Sequence, residues 1–187
     1  MRSYIFDKKE KAVFDLLRNC ISNDCTRKNL CHAYYDGNGN IYATNAHKLV
    51  KISSKRLIEK LGDNPGYFDI SGSVLIESDF DNKPIEYERV IPTGDGEKFV
   101  LPKTTSIKQK YMDSFIYAAV CHYTGKTFDP ELFQGVKEIE WKEIYQKNDG
   151  YVVRLNGSII DGYLVTYVAM AMNTPFMDKS EPVQKTA

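Results

Sequence analysis

The sequence predicts an α+β fold, in which helices pack on curved, mainly antiparallel sheets. Two segments carry apolar residues at helical spacing, whereas most other apolar residues occur in the short runs typical of strands. The polar break Thr93-Gly-Asp-Gly96 divides the chain, and the order of a helix followed by several strands is repeated after it. We therefore expect two related units at 1–94 and 97–174, followed by a polar, disordered tail at 175–187.

The first unit begins with a helix and a hairpin. Asp7 followed by Glu10 resembles a capping box and predicts a helix at 8–22. The glycines and asparagines at 36–40 tolerate the positive φ of tight turns, so the flanking apolar runs predict a β-hairpin. The other elements expected here are a strand at 47–52, a helix at 54–61, strands at 66–71 and 73–78, and an extended segment at 87–92.

The second unit is expected to contain one long helix. It lies at 105–123, where Tyr111, Phe115 and Ala118 share one face. Asn156-Gly-Ser158 is interpreted as a turn between strands. Strands are expected at 99–101, 136–141, 151–156 and 159–172.

Composition indicates a globular chain without a strong electrostatic field. Of 187 residues, 42% are apolar and 27% charged, and 25 acidic side chains balance 25 basic ones. The protein as a whole is therefore not drawn to nucleic acid or anionic lipid, and DNA contact needs a local patch. The first residues lack a secretory signal, and the longest apolar run reaches only half of the ~20 residues of a membrane span. We expect a cytoplasmic protein without transmembrane segments.

No motif predicts a metal, a cofactor or catalysis. The loop at 36–40 begins like a calcium loop, but Ile41 and His47 stand where that loop needs glycine and glutamate. Cys20, Cys25 and Cys31 lack the paired spacing of zinc sites. We expect reduced thiols, no disulfide, no metal and no enzymatic activity.

Three segments resemble the bacterial DNA polymerase III β subunit, the sliding clamp that tethers replicative polymerase. They are Ile41-Tyr-Ala-Thr-Asn-Ala-His-Lys-Leu-Val50, Tyr87-Glu-Arg-Val-Ile-Pro92 and Tyr167-Val-Ala-Met-Ala-Met172. Asn45, Lys48 and Ala171 replace the family's usual aspartate, arginine and proline. The resemblance implies two clamp-like units, a shortened form of the clamp's second and third domains.

The resemblance also implies a peptide-binding cleft between these units. Polymerases and other clamp partners insert a short peptide there, and the matching residues are Leu49, Pro92, Val168 and Met170. A rigid apolar wall combined with a flexible methionine suits such binding. The four side chains are expected to converge on one partly exposed apolar cleft.

DNA is expected to face the helices, where cations screen phosphates without reading bases. The candidates are Lys8, Lys11, Arg18, Lys103, Lys108 and Lys110. Two units cannot encircle a duplex, so the family geometry implies self-assembly, most simply three copies in a head-to-tail ring.

Two alternatives remain open. One is a small α+β regulatory or interaction module unrelated to replication, favoured by the zero net charge. The other is a thiol enzyme using Cys20, Cys25, Cys31 or Cys121. Two similarly built halves favour the clamp, and we expect a single sheet shared by both halves to exclude it.

Overall fold

The computed structural model describes residues 1–8, 10–24, 26–93, 98–101, 107–146, 151–159 and 162–171. These residues form one antiparallel sheet with its main helices on one face. The strands are β1 (Ser3–Ile5), β2 (Ala33–Tyr35), β3 (Asn40–Thr44), β4 (Lys48–Ser53), β5 (Gly66–Ser71), β6 (Val74–Glu77), β7 (Lys98–Val100), β8 (Glu140–Gln146), β9 (Val152–Ile159) and β10 (Tyr163–Met170). The α-helices are α1 (Lys11–Cys20), α2 (Lys55–Leu61), α3 (Tyr87–Val90) and α4 (Met112–Thr124).

The strand order separates the two halves of the chain. It runs β1-β6-β5-β2-β3-β4-β10-β9-β8-β7, so the first six strands lie together and the last four lie together. The halves join where β4 pairs with β10, with Leu49 opposite Val168. The sheet is thus continuous across both halves, and the main apolar core also extends across them. The division into units at 1–94 and 97–174 stays a prediction.

The main core lies between the sheet and helices α1, α2 and α4. The predicted capping box is confirmed: the Glu10 amide donates to the Asp7 carboxylate, and the Asp7 amide donates to the Glu10 carboxylate, both at 3.0 Å. Helix α1 is shorter than the predicted 8–22. The apolar residues on one side of α1 are buried; they are Val13, Phe14, Leu16, Leu17 and Cys20.

The other face of the first half is covered by the segment 78–92. It includes α3 rather than the extended chain predicted for 87–92. A helical turn directs Tyr87, Val90 and Ile91 to the same side, onto the sheet. There they form a second, smaller apolar cluster, which we call the outer cluster; its buried members are Tyr42, Leu49, Tyr87, Ile91 and Val168.

Several elements of the second half differ from prediction. Helix α4 is preceded by a 3-10 turn at Gln109–Tyr111, and residues 102–106 lie outside the described ranges. A 3-10 turn at Val136–Glu138 occupies the start of the strand expected at 136–141. The predicted turn at 156–158 is wrong, because these residues lie within strand β9. The expected tail at 175–187 lies outside the described residues.

Strand β1 was not predicted, because three residues carry too little alternation to be recognised. It pairs with β6 and forms one edge of the sheet. Within the described ranges, no helix has the length and apolar character needed to cross a membrane.

Candidate partner-binding groove

Three of the four residues expected to bind a peptide lie together at the outer cluster. Leu49 and Val168 face each other across the β4–β10 pair. Pro92 follows Ile91 of the same cluster, and its carbonyl oxygen accepts a hydrogen bond from Arg154 on β9. Leu49 is only 2% exposed and Val168 is fully buried, beneath Tyr87 and Ile91. Their exposure therefore differs from the partly exposed cleft that we expected.

Met170 lies at the end of β10 and is partly exposed. It lines a groove of about 1450 Å³ at the seam between the two halves. The first half contributes the end of α1, the loop that follows it and the turn between β3 and β4, and the second half contributes the segment 129–134. The apolar side chains in its lining are Ile21, Leu30, Ile70, Leu132, Met170 and Ala171.

The turn between β3 and β4 shapes one wall of this groove. The Asn45 side-chain oxygen accepts hydrogen bonds from the amides of His47 and Lys48, both at 3.0 Å. Ala46 between them has a φ of 75°, a conformation that non-glycine residues rarely adopt. The Met170 amide donates to the His47 carbonyl at 3.1 Å, which fixes the end of β10 against the turn. As a result His47 is exposed and Lys48 is buried.

The second-half wall begins with a capped turn. The Asp129 carboxylate accepts a hydrogen bond from the Glu131 amide at 2.9 Å, and Pro130 follows the cap. The hydroxyl of Tyr167 on β10 donates to the Leu132 carbonyl, which ties this wall to the sheet. Sequence analysis missed this segment, although Asp-Pro is a recognisable turn signal.

Cys20 lacks the properties of a reactive thiol. Cys20 is fully buried in the core, and burial raises the pKa of its thiol to about 12. A thiol with so high a pKa is almost entirely protonated at neutral pH and is a poor nucleophile. Cys31 donates to the carbonyls of Asp24 and Arg27, and Cys25 lies outside the described residues.

The loop at 36–40 is the predicted hairpin turn. The Asp36 carboxylate accepts hydrogen bonds from the amides of Asn38 and Asn40 and from the Asn40 side chain. These local donors use the oxygens that a calcium ion would need. β2 and β3 pair antiparallel on either side of the turn, as predicted.

The candidate DNA-facing residues are exposed where they are described. Lys8 precedes α1, Lys11 and Arg18 lie on it, and Lys108 and Lys110 precede α4. Lys11 forms an ion pair with Asp15, and the Lys110 ammonium lies 4.7 Å from the centre of the Tyr111 ring. Lys103 lies outside the described residues. Arg18 also lines the groove.

The fold is similar to that of bacterial sliding clamps. A DnaN sliding clamp (DNA polymerase III subunit beta) from Bartonella birtlesii, bound to griselimycin, matches with a TM-score of 0.51 at 14% identity. The DNA polymerase III subunit beta from Pseudomonas aeruginosa gives a TM-score of 0.47 at 12% identity. Each match covers 92% of this chain and 66% of the other. No protein-family model and no curated protein sequence matches the chain.

The match to the Bartonella clamp confirms the predicted α+β, clamp-like fold class. The expectation that a shared sheet would exclude this fold was therefore wrong.

Proposed function

We propose that this protein is a non-enzymatic, clamp-like docking platform that binds peptide segments of protein partners, as a DNA polymerase processivity factor does. The observation that carries the proposal is the groove at the seam between the halves of a clamp-like fold. Seams of this kind are common places for binding sites. Cytoplasmic location follows from this proposed role.

The lining of the groove suits a short peptide better than a small metabolite. Its apolar side chains are spread along the seam and are mixed with exposed polar ones. Met170 follows Val168 of the outer cluster by two residues on β10, and the segment that covers this cluster ends at Pro92. In this proposal Met170 contacts the peptide directly, while the three other residues support the strand that presents it.

Griselimycin provides a direct test, because a clamp with the same fold is bound to it. We expect the wild-type protein to bind griselimycin in isothermal titration calorimetry and Met170→Glu to lose at least tenfold in affinity, because the bound ligand would desolvate the new carboxylate. Leu164→Glu is the matched control, since Leu164 lies on the same strand, six positions away, and is 62% exposed. Equal binding by wild type and Met170→Glu would contradict the site.

DNA encirclement is a second part of the proposal. The exposed cations Lys8, Lys11, Lys108 and Lys110 lie at the start of helices on one side of the sheet, where they can screen phosphate charge. Encirclement requires several copies, because one chain has two halves only. If DNA does not bind, the same groove serves a protein-interaction module unrelated to replication, which the balanced charge and the Lys11–Asp15 ion pair favour.

A further inference from the structure

Lys48 is a nearly buried cation in the wall of the groove. It is 9% exposed, and among the described residues its ammonium donates only to the Glu131 carbonyl oxygen, at 3.5 Å, the limit of such a bond. Within the described ranges no carboxylate forms an ion pair with it. Buried ammonium groups are normally paired, because burying an unpaired charge is costly.

The buried neighbours of Lys48 do not neutralise it. Cys20 interacts electrostatically with Lys48, but burial keeps this thiol protonated. Tyr167 contacts Cys20, and burial likewise raises its pKa well above the ordinary value, so the phenol is neutral. Neither group therefore provides a negative charge to pair with the Lys48 ammonium.

The acidic residues that line the groove have other partners or are exposed. Asp24 accepts hydrogen bonds from the amide and hydroxyl of Thr26, and Asp129 caps the turn that follows it. Glu131 is exposed. Asp113, which interacts with Tyr167, accepts from the Gly135 amide at 3.1 Å with one oxygen, and its other oxygen is buried without a hydrogen-bond partner among the described residues. Asp113 forms no ion pair with Lys48. Arg18, Arg27 and His47 add positive charge or hydrogen-bond donors to the same lining.

We propose that Lys48 is the receptor for a carboxylate of the docked peptide, so that this groove selects acidic peptide segments. The carboxylate belongs either to an aspartate or glutamate side chain or to a peptide C-terminus. Its binding supplies the counter-ion that the described residues do not provide, and a charge-assisted hydrogen bond of this kind is stronger than a neutral one. The inference rests on the proposed docking function and assigns the partner's chemistry.

Four synthetic peptides separate the two sources of the carboxylate. One pair is acetyl-Leu-Asp-Phe-amide and acetyl-Leu-Asn-Phe-amide, and the other is acetyl-Leu-Phe with a free carboxylate and acetyl-Leu-Phe-amide. The methyl signal of Met170 in NMR titrations reports binding in the groove. We expect one acidic peptide to bind about tenfold more tightly than its neutral counterpart, as one charge-assisted hydrogen bond provides.

Variants of Lys48 test whether this side chain causes the preference for acidic over neutral peptides. Lys48→Met is expected to bind acidic and neutral peptides equally and to unfold at the same or a higher temperature than wild type, because an unpaired buried charge is removed. Lys48→Arg keeps the positive charge and is expected to keep the preference. A lower melting temperature together with an unchanged preference in Lys48→Met would overturn the inference and indicate a structural lysine.

The outcomes distinguish this inference from the function on which it rests. If all four peptides shift the Met170 methyl signal with equal affinities, docking stands and carboxylate recognition is overturned. If none of them shifts it, both the docking groove and the inference are overturned.

Discussion

The hydroxyl groups of two tyrosines affect the stability of the outer cluster in different ways. The Tyr42 and Tyr87 rings stack with their centres 4.9 Å apart, and both side chains are 4% exposed. The Tyr42 hydroxyl donates to Glu88 at 2.7 Å, which ties the covering segment to the sheet. The Tyr87 hydroxyl is buried and has no hydrogen-bond partner among the described residues.

These two tyrosines should therefore respond oppositely to loss of the hydroxyl. Tyr42→Phe is expected to lower the free energy of unfolding by about 1 kcal/mol, and Tyr87→Phe to leave it unchanged or raise it by up to about 1 kcal/mol. Urea denaturation of the matched variants measures both. A clear loss of stability in Tyr87→Phe would show that its hydroxyl has a partner, such as an ordered water.

Glu10 connects the N-terminal segment to β10. Its carboxylate accepts hydrogen bonds at 2.5 Å from the hydroxyls of Tyr4 and Tyr163, and these hydroxyls lie 2.7 Å apart. Burial alone would raise the pKa of Glu10, but the bonds from Tyr163, Tyr4 and the Asp7 amide together hold it below its ordinary value of 4.5.

Because the pKa of Glu10 is lower in the folded than in the unfolded protein, its ionised form stabilises the fold. This contribution is complete above pH 4.5 and is lost as the pH falls through the lower, folded pKa. Glu10→Gln is expected to cost about 2 kcal/mol at pH 7 and progressively less in acid. Chemical denaturation at several pH values tests this, with the exposed Glu59→Gln as control; a pH-independent difference would contradict it.

At the scale of elements, Gly157 permits β8 to lie close to β9. A Cβ at this position would be 2.8 Å from the Glu140 carbonyl oxygen and equally close to the side chains of Ile139 and Trp141. The register of the β8–β9 pair shifts next to this contact, between Trp141 and Glu143. This glycine is therefore required by packing and not by a turn.

Gly157→Ala should consequently destabilise the second half of the sheet. The added methyl group meets a backbone oxygen that cannot move easily, so we expect a loss of about 1–3 kcal/mol. The neighbouring Ser158→Ala adds no atoms and is the control. Thermal unfolding of both variants measures the effect, and equal stabilities would show that β8 can shift without cost.

Elements defined by neighbouring residues were predictable, whereas those defined by distant contacts were not. The capping box of α1 and the hairpin at 36–40 have local signals, and both are present. Helix α3 forms because Tyr87 and Ile91 pack on the sheet, and that contact is invisible in the sequence. In the groove, Met170 was predicted from the resemblance to sliding clamps. The burial of Lys48 was not predictable, because it depends on contact between the two halves of the chain.

At the scale of the whole molecule, the sheet formed by the described residues ends at two edges, β1 and β7. Each is three residues long and carries one strongly exposed apolar side chain, Ile5 at 71% and Val100 at 70%. Pairing of β1 in one copy with β7 in the next would extend the sheet and give hydrogen-bond partners to the unpaired backbone groups of both edge strands. Repetition of this head-to-tail contact is how the proposed ring would close.

The ring has a simple test in solution. We expect wild type to sediment as a trimer and to be retained on nicked circular DNA but released when that DNA is linearised. Ile5→Lys and Val100→Lys should each give folded monomers, because the charge blocks edge pairing. Ile58→Lys, which alters a 41% exposed residue on α2, is the control. A wild-type monomer at high micromolar concentration rules out the ring.

The β4–β10 pair also determines when the protein can fold. Its two strands are far apart in sequence, and such contacts form slowly because a long intervening chain must first be ordered. During synthesis on the ribosome, β4 emerges early, and its side that pairs with β10 stays unpaired until β10 has been synthesised. A nascent chain stalled before β10 would expose this edge to aggregation, so chaperone demand should peak just before β10 is released.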